Sequence, residues 1–201
     1  MRAKATNNGL QGTLRFAPLS PGVGHPNTQH SLMIQIRQEK PEDRDAIHHL
    51  NLAAFDNGPE AILVDRLRTN CEEYVAFVAV DNGGVVGHIL FTPVTIDSST
   101  AVGMGLAPMA VLPSHQRNGI GTLLVRHGLE FLRKSNCPFV VVLGHPGFYP
   151  RFGFEVASKY ALRSQWDRVP EEAFLVIVFN GDALPVEGGV ARYRDEFNDA
   201  M

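Results

Sequence analysis

A mixed α/β domain, with a central mixed β-sheet flanked by helices, is the fold class the sequence predicts, on three observations. The turn residues Asp81-Asn82-Gly83-Gly84 lie between two apolar runs and signal an antiparallel hairpin. Residues 119–134 have the period of an amphipathic helix, and 139–143 are apolar at every position, as in a strand buried on both faces. A strand before that helix completes a βαβ unit, whose strands run parallel. Antiparallel and parallel pairs in one domain make the sheet mixed.

The elements follow in order. Residues 1–32 mix Asn, Gly, Thr, Gln, Ser and Pro without a period and read as a disordered N-terminal tail. From Met33, Ile34 and Ile36 alternate with Gln35 and Arg37, a short strand. Pro41 opens a helix with Glu42 and Asp43 in its first turn, where acids suit the helix dipole. Ile47, Leu50 and Ala54 follow at helical spacing. After the Gly58-Pro59 break, a second helix carries Ile62, Leu63 and Leu67. Residues 74–80 form a strand and 85–96 its return, with Pro93 marking a bulge or an edge. A third strand, roughly 104–112, contains Pro108 and is expected to be irregular.

The loop 113–118 is polar. In the helix after it Ile120, Leu123, Leu124, Phe131 and Leu132 share one face, and Gly128 lets that face approach a sheet closely. Arg133 and Lys134 sit at the C-terminal end, which favours cations. A late strand covers 174–179. The organisation expected is a tail over 1–32, one folded domain over 33–180, and a weakly patterned extension over 181–201, in which Val190, Tyr193 and Phe197 are able to pack back.

Composition narrows the function. Hydrophobic residues make up 44% of the 201, enough to bury a core, and the net charge of −3 leaves no basic footprint for a nucleic acid or an anionic membrane. No apolar run reaches the ~20 residues of a membrane span, and no apolar stretch follows Arg2 and Lys4 to make a signal peptide. Only Cys71 and Cys137 are present, without metal-ligand spacing. They suit a reducing cytoplasm, and no metal is expected.

The loop Gln116-Arg117-Asn118-Gly119-Ile120-Gly121 stands between a strand and a helix. The first N–H groups of a helix lack internal partners, and the dipole adds positive charge, so an anion is welcome there. Glycines at 119 and 121 permit close approach, and Arg117 adds a fixed charge. The set suits a pyrophosphate, although Gly-x-Gly alone equally marks a helix start that needs glycines for packing. A dinucleotide fold expects its glycine loop after an early strand and a small third residue, where this chain has Leu124. A P-loop needs Gly-Lys-Ser/Thr, which is absent.

The stretch Met109-Ala110-Val111-Leu112-Pro113 followed by Gln116 to Gly121 resembles the acetyl-CoA signature of the GNAT superfamily of N-acetyltransferases, and is most like its small bacterial YhbS-like branch. The element order from Met33 to about Phe179 resembles the family's as well. The resemblance implies that backbone groups of Met109, Ala110 and Val111 pair with the pantetheine arm as an added strand. It implies that N–H groups of Arg117, Asn118, Gly119, Ile120, Gly121 and Thr122 hold the pyrophosphate. A backbone N–H near Ala110 or Val111 would then meet the thioester oxygen.

Tyr149 through Gly153-Phe154 matches the family's Tyr-x-x-x-Gly-Phe, whose tyrosine hydroxyl meets the leaving sulfur. Free tyrosine titrates near ~10 and a thiol near ~8.5, so a placed Tyr149 can protonate or hydrogen-bond the thiolate. Many relatives carry an Asn upstream where this chain has Val140-Val141-Val142. Candidate bases for the acceptor are Glu60, Asp56, His88, His145 or water. Glu60 comes first because the helix pair bearing it walls the acceptor pocket in the family.

What is implied is direct acetyl transfer from acetyl-CoA to a primary amine, of a small molecule or a protein N-terminus, in a ternary complex. A non-catalytic acyl-CoA sensor, or a transferase using a longer acyl-CoA, remains open at this point. So does the assembly, for which a homodimer is the commonest form.

Overall fold

A computed structural model describes residues 34–56, 58–97 and 99–200. The disordered tail expected over 1–32 lies outside the described residues, as does Met33. The chain order is β1 (Gln35–Gln38), α1 (Arg44–Ala54), α2 (Glu60–Asn70), β2 (Val75–Asp81), β3 (Gly84–Ile96), β4 (Val102–Val111), α3 (Ile120–Lys134) and β5 (Phe139–Leu143). It continues with β6 (Glu155–Val156), β7 (Leu162–Ser164), β8 (Phe174–Val178) and β9 (Gly189–Arg192). Among the described residues these nine strands form one mixed sheet. Its path is β1-β2-β3-β4-β5-β8-β6, with β9 beside β3 and β7 beside β9.

The β2–β3 hairpin turns on Asn82 and Gly83, with φ of 48° and 82°. Positive φ at both positions is the type I′ geometry that Asn-Gly favours, and its twist matches that of the strands. Met104, Gly105 and Leu106 of β4 pair in parallel with Val140, Val141 and Val142 of β5, the pair expected of the βαβ unit. Pro93 falls between Phe91, the last β3 residue paired with β2, and Thr95, the first paired with β9. A missing N–H is tolerated in such a gap.

Each face of the sheet is covered. On one, Ile47 of α1 and Leu63, Val64 and Leu67 of α2 pack on Val78, Leu90 and Val94. On the other, Ile120, Leu124, Val125 and Leu129 of α3 pack on Phe77, Ile89, Phe91 and Val140. A Cβ at Gly128 would come within 2.5 Å of the Phe91 ring, so the close approach expected there is real. Two apolar positions depart from expectation: Leu123 is 43% and Ile62 59% exposed. The buried stripe of α3 runs through Val125 and Leu129 instead, which the 3.6-residue turn sets beside Leu124 and Gly128.

The last twenty residues do more than extend the chain. Gly189–Arg192 form β9, Arg192 pairs with Asp97 at 2.8 Å, and Tyr193 and Phe197 enter the core under α1 and α2. No described helix is long and apolar enough to cross a membrane.

Candidate active site

The irregularity expected of the third strand builds the site. Ile89 pairs with Met109 but Phe91 pairs with Leu106, so Leu90 faces both Ala107 and Pro108. This is a β-bulge, which bends the strand and ends regular pairing. Beyond Leu106 no residue of β4 pairs with β5. The two strands separate, and a cleft of about 560 Å³ opens between them.

The open β4 edge has a defined polarity. The Leu112 N–H donates to Val86 O at 2.9 Å, on the β3 side. Backbone groups alternate sides along a strand, so Ala110 also turns to β3, while Met109 and Val111 turn to the cleft. The Ala110 side chain is buried with Leu50, Ala54 and Phe55. Among the residues expected to hold the cofactor, the structure brings Met109, Val111, Arg117, Gly119, Ile120, Gly121 and Thr122 to the cleft wall. Ala110 and the exposed Asn118 are not brought there.

At one end of that edge lies the start of α3. Gly119 is the N-cap, at φ 80° and with no side-chain cap, so the first N–H groups of the helix keep their donors for a ligand. Arg117 holds φ 66°, a left-handed conformation that disfavours a side chain by roughly 1–2 kcal/mol. Gln116 ties the loop to the strand by donating from Nε2 to Val111 O at 3.1 Å. That tie is a positioning role the sequence reading did not assign. A Cβ on Gly121 would make only ordinary contacts, 3.5 Å from Met109.

Tyr149 also lines the cleft, on a 3-10 turn (Tyr149–Phe152) closed by Gly153 at φ 93°. Its ring packs edge-on against Phe148 and Phe154. Burial pushes the phenol well above its ordinary value. A phenol raised in this way keeps its proton, which leaves it able to donate a hydrogen bond. Arg151 donates to Phe148 O at 3.1 Å and stacks on the Phe148 ring, 4.5 Å from its centroid.

Glu60, the first residue of α2, lines the cleft with Phe55 and Leu63, and His145 lines it beyond β5. The other candidate bases are elsewhere. His88 is fully buried, with Nε2 3.1 Å from Glu39, and burial lowers its pKa. Burial works against the charge of Glu39, yet hydrogen bonds with His88 and Arg68 overcome it and hold the carboxyl below its usual range. This pair is part of the core. Asp56 is exposed and does not line the cleft.

The C-terminal Tyr193 and Phe197 also line the cleft. Sequence reasoning gave them no site role. Their only signal was apolar character in a weakly patterned stretch.

A strand edge splayed from its parallel neighbour, leading to an uncapped helix start, defines a class. The profile of the acetyltransferase (GNAT) domain matches residues 72–156. The chain is 37% identical over 164 residues to the uncharacterized N-acetyltransferase YhbS of Escherichia coli K12, covering 81% of this chain and 98% of that protein. The chain belongs to the GNAT family of acetyltransferases. Among solved structures it is similar to E. coli YhbS in complex with CoA, at TM-score 0.78 and 35% identity over 86% of this chain and 96% of that one. It is similar also to a GNAT acetyltransferase of Brucella melitensis in complex with acetyl-CoA, at TM-score 0.68 and 34% identity over 82% and 97% of the two chains.

Proposed function

We propose that this chain transfers the acetyl group of acetyl-CoA to a primary amine directly, within a ternary complex. The observation that carries the reading is the continuity of the cleft. Met109 and Val111 on the open β4 edge run into the uncapped start of α3 with Arg117, and Tyr149 lines the same cleft. Pantetheine carries amides able to add to a strand edge, and pyrophosphate suits a helix start. The YhbS and Brucella structures, whose ligands are CoA and acetyl-CoA, support the same cofactor here.

In this reading Met109 and Val111 hold the pantetheine arm, and the N–H groups from Arg117 to Thr122 hold the pyrophosphate. Glu60 takes the proton of the acceptor ammonium. The freed amine forms an N–C bond at the thioester carbon as the C–S bond breaks, and the second proton this nitrogen sheds as the amide forms replaces the one that Tyr149 gives to sulfur. Tyr149, kept protonated by burial, donates to the departing sulfur. The acceptor is an amine of a small molecule or of a protein N-terminus, and the acid at the cleft wall favours a cationic one.

Calorimetry tests the foundation. Wild type is expected to bind acetyl-CoA, and Gly119→Glu to lose it. The variant places a side chain at a left-handed position, at a cost of roughly 1–3 kcal/mol, and a negative charge at the pyrophosphate. Equal binding by the two proteins would sink the assignment of the loop.

A further inference from the structure

Tyr193 brings a second phenol to the cleft, and its setting is unusual. The residue is only 6% exposed, yet its hydroxyl proton has no acceptor among the described residues. A buried O–H donor left without an acceptor costs about 1–3 kcal/mol, so a native core has reason to avoid one unless a ligand supplies the acceptor.

The ring is held in place. Trp166 and Phe197 pack against it, with ring centroids 5.2 and 5.1 Å away. The Tyr193 backbone N–H donates to Gln165 Oε1 at 2.7 Å. Gly105 lies directly under the ring, since a Cβ there would meet Tyr193 Cε1 at 2.5 Å. Gly105 is one residue before Leu106, the last residue of β4 that pairs with β5. The ring is thus fixed at the apex of the splay.

Two neighbours act on the hydroxyl. Burial raises its pKa, a charge on Tyr149 would raise it further, and the backbone N–H of Leu143 pulls the other way. Leu143 is the residue of β5 that follows Val142, the last one paired with β4. Tyr193 therefore stays protonated beside Tyr149, and it can donate.

What reaches the apex follows from length. The stretch from Leu106 to Val111 lies opposite the four residue steps from Phe91 to Gly87, roughly 13 Å at ~3.3 Å each, within the reach of an extended pantetheine chain. With its pyrophosphate at the start of α3, an acyl-CoA puts its thioester at the apex. Thioester sulfur is a weak acceptor, so the carbonyl oxygen is the atom that suits a second donor.

We propose that the Tyr193 hydroxyl donates a hydrogen bond to the thioester carbonyl oxygen of acetyl-CoA, so that two phenols share the thioester, Tyr193 at oxygen and Tyr149 at sulfur. The inference rests on the acetyl-CoA reading above. As the amine attacks, the carbonyl π pair moves onto oxygen, and the Tyr193 O–H holds that charge without giving up its proton. The pair returns as the C–S bond breaks. A donor aimed where charge develops lowers the barrier.

Isotope-edited infrared spectroscopy of bound [1-13C]acetyl-CoA tests this without an acceptor. The carbonyl stretch should lie below that of the free thioester in wild type and move back toward it in Tyr193→Phe, which keeps the ring packing. Site-specific replacement of Tyr193 by 3,5-difluorotyrosine, a stronger donor of nearly the same shape, should move it lower still. The second replacement decides the matter if the phenylalanine variant does not fold. Bound acetyl-CoA with the same stretch in wild type and variant overturns the inference and leaves the acetyl-CoA reading intact. Absence of wild-type binding overturns both.

Discussion

Tyr149 shows how environment edits a residue's chemistry. A free phenol and a thiol differ modestly in acidity, so by sequence Tyr149 is able either to protonate the thiolate or to hydrogen-bond it. The 3-10 turn buries the ring between Phe148 and Phe154 and raises its pKa. In the proposed reaction it therefore donates to sulfur instead of surrendering its proton early. Tyr149→Phe should lower turnover by roughly 10²–10⁴-fold, the usual worth of a placed proton donor, while acetyl-CoA affinity holds. Thiol-reagent detection of CoA release across a panel of amines, with parallel calorimetry, measures both. Undiminished turnover would remove Tyr149 from the chemistry. His88 makes the complementary point. A histidine is a reasonable base on paper, but this one is sealed against Glu39 beneath the helices.

At the scale of elements, two local irregularities position everything. The bulge at Ala107 and Pro108 releases β4 from β5 and creates the open edge. Gly128 seats α3 against Phe91, which sets where the helix N-terminus meets that edge. Gly128→Val would press a branched side chain into a fully buried ring. It should cost about 1–3 kcal/mol through overpacking, even though valine is the better helix former. Urea titration reads this as a lower midpoint at unchanged slope. An unshifted midpoint would mean that Phe91 yields freely and that the contact does not set the helix position. Both irregularities are visible in sequence as a proline in a strand and a glycine in a helix. Neither residue says from sequence what it faces.

At the scale of the whole molecule, the C-terminal segment closes the structure. It adds β9 to the sheet and sets Tyr193 and Phe197 in the core and along the cleft. A chain ended at residue 180 loses two buried aromatics, each worth ~3–5 kcal/mol on truncation. At roughly 2–4 °C per kcal/mol for a protein of this size, its melting temperature should fall by more than about 12 °C in calorimetry. A truncated chain that melts with wild type would show the segment to be an appendage.

The sequence by itself determined the hairpin, the βαβ unit, the glycine loop before α3 and the Tyr149 turn. These are read from neighbours in the chain: period, turn residues and φ preferences act over a few positions, so one segment carries the whole signal. Only the tertiary structure decided that Ala110 turns away from the cleft while Met109 and Val111 turn toward it, because strand polarity depends on which side pairs first. It also decided that Leu123 is exposed, that His88 is sealed away and that Glu60 and Tyr149 line one cleft. Tyr193 was least legible of all. It follows a strand only four residues long, which pairs with segments ~30 and ~95 positions earlier. Its role comes from contacts that no local period records, since burial is a property of the assembled core and not of the segment.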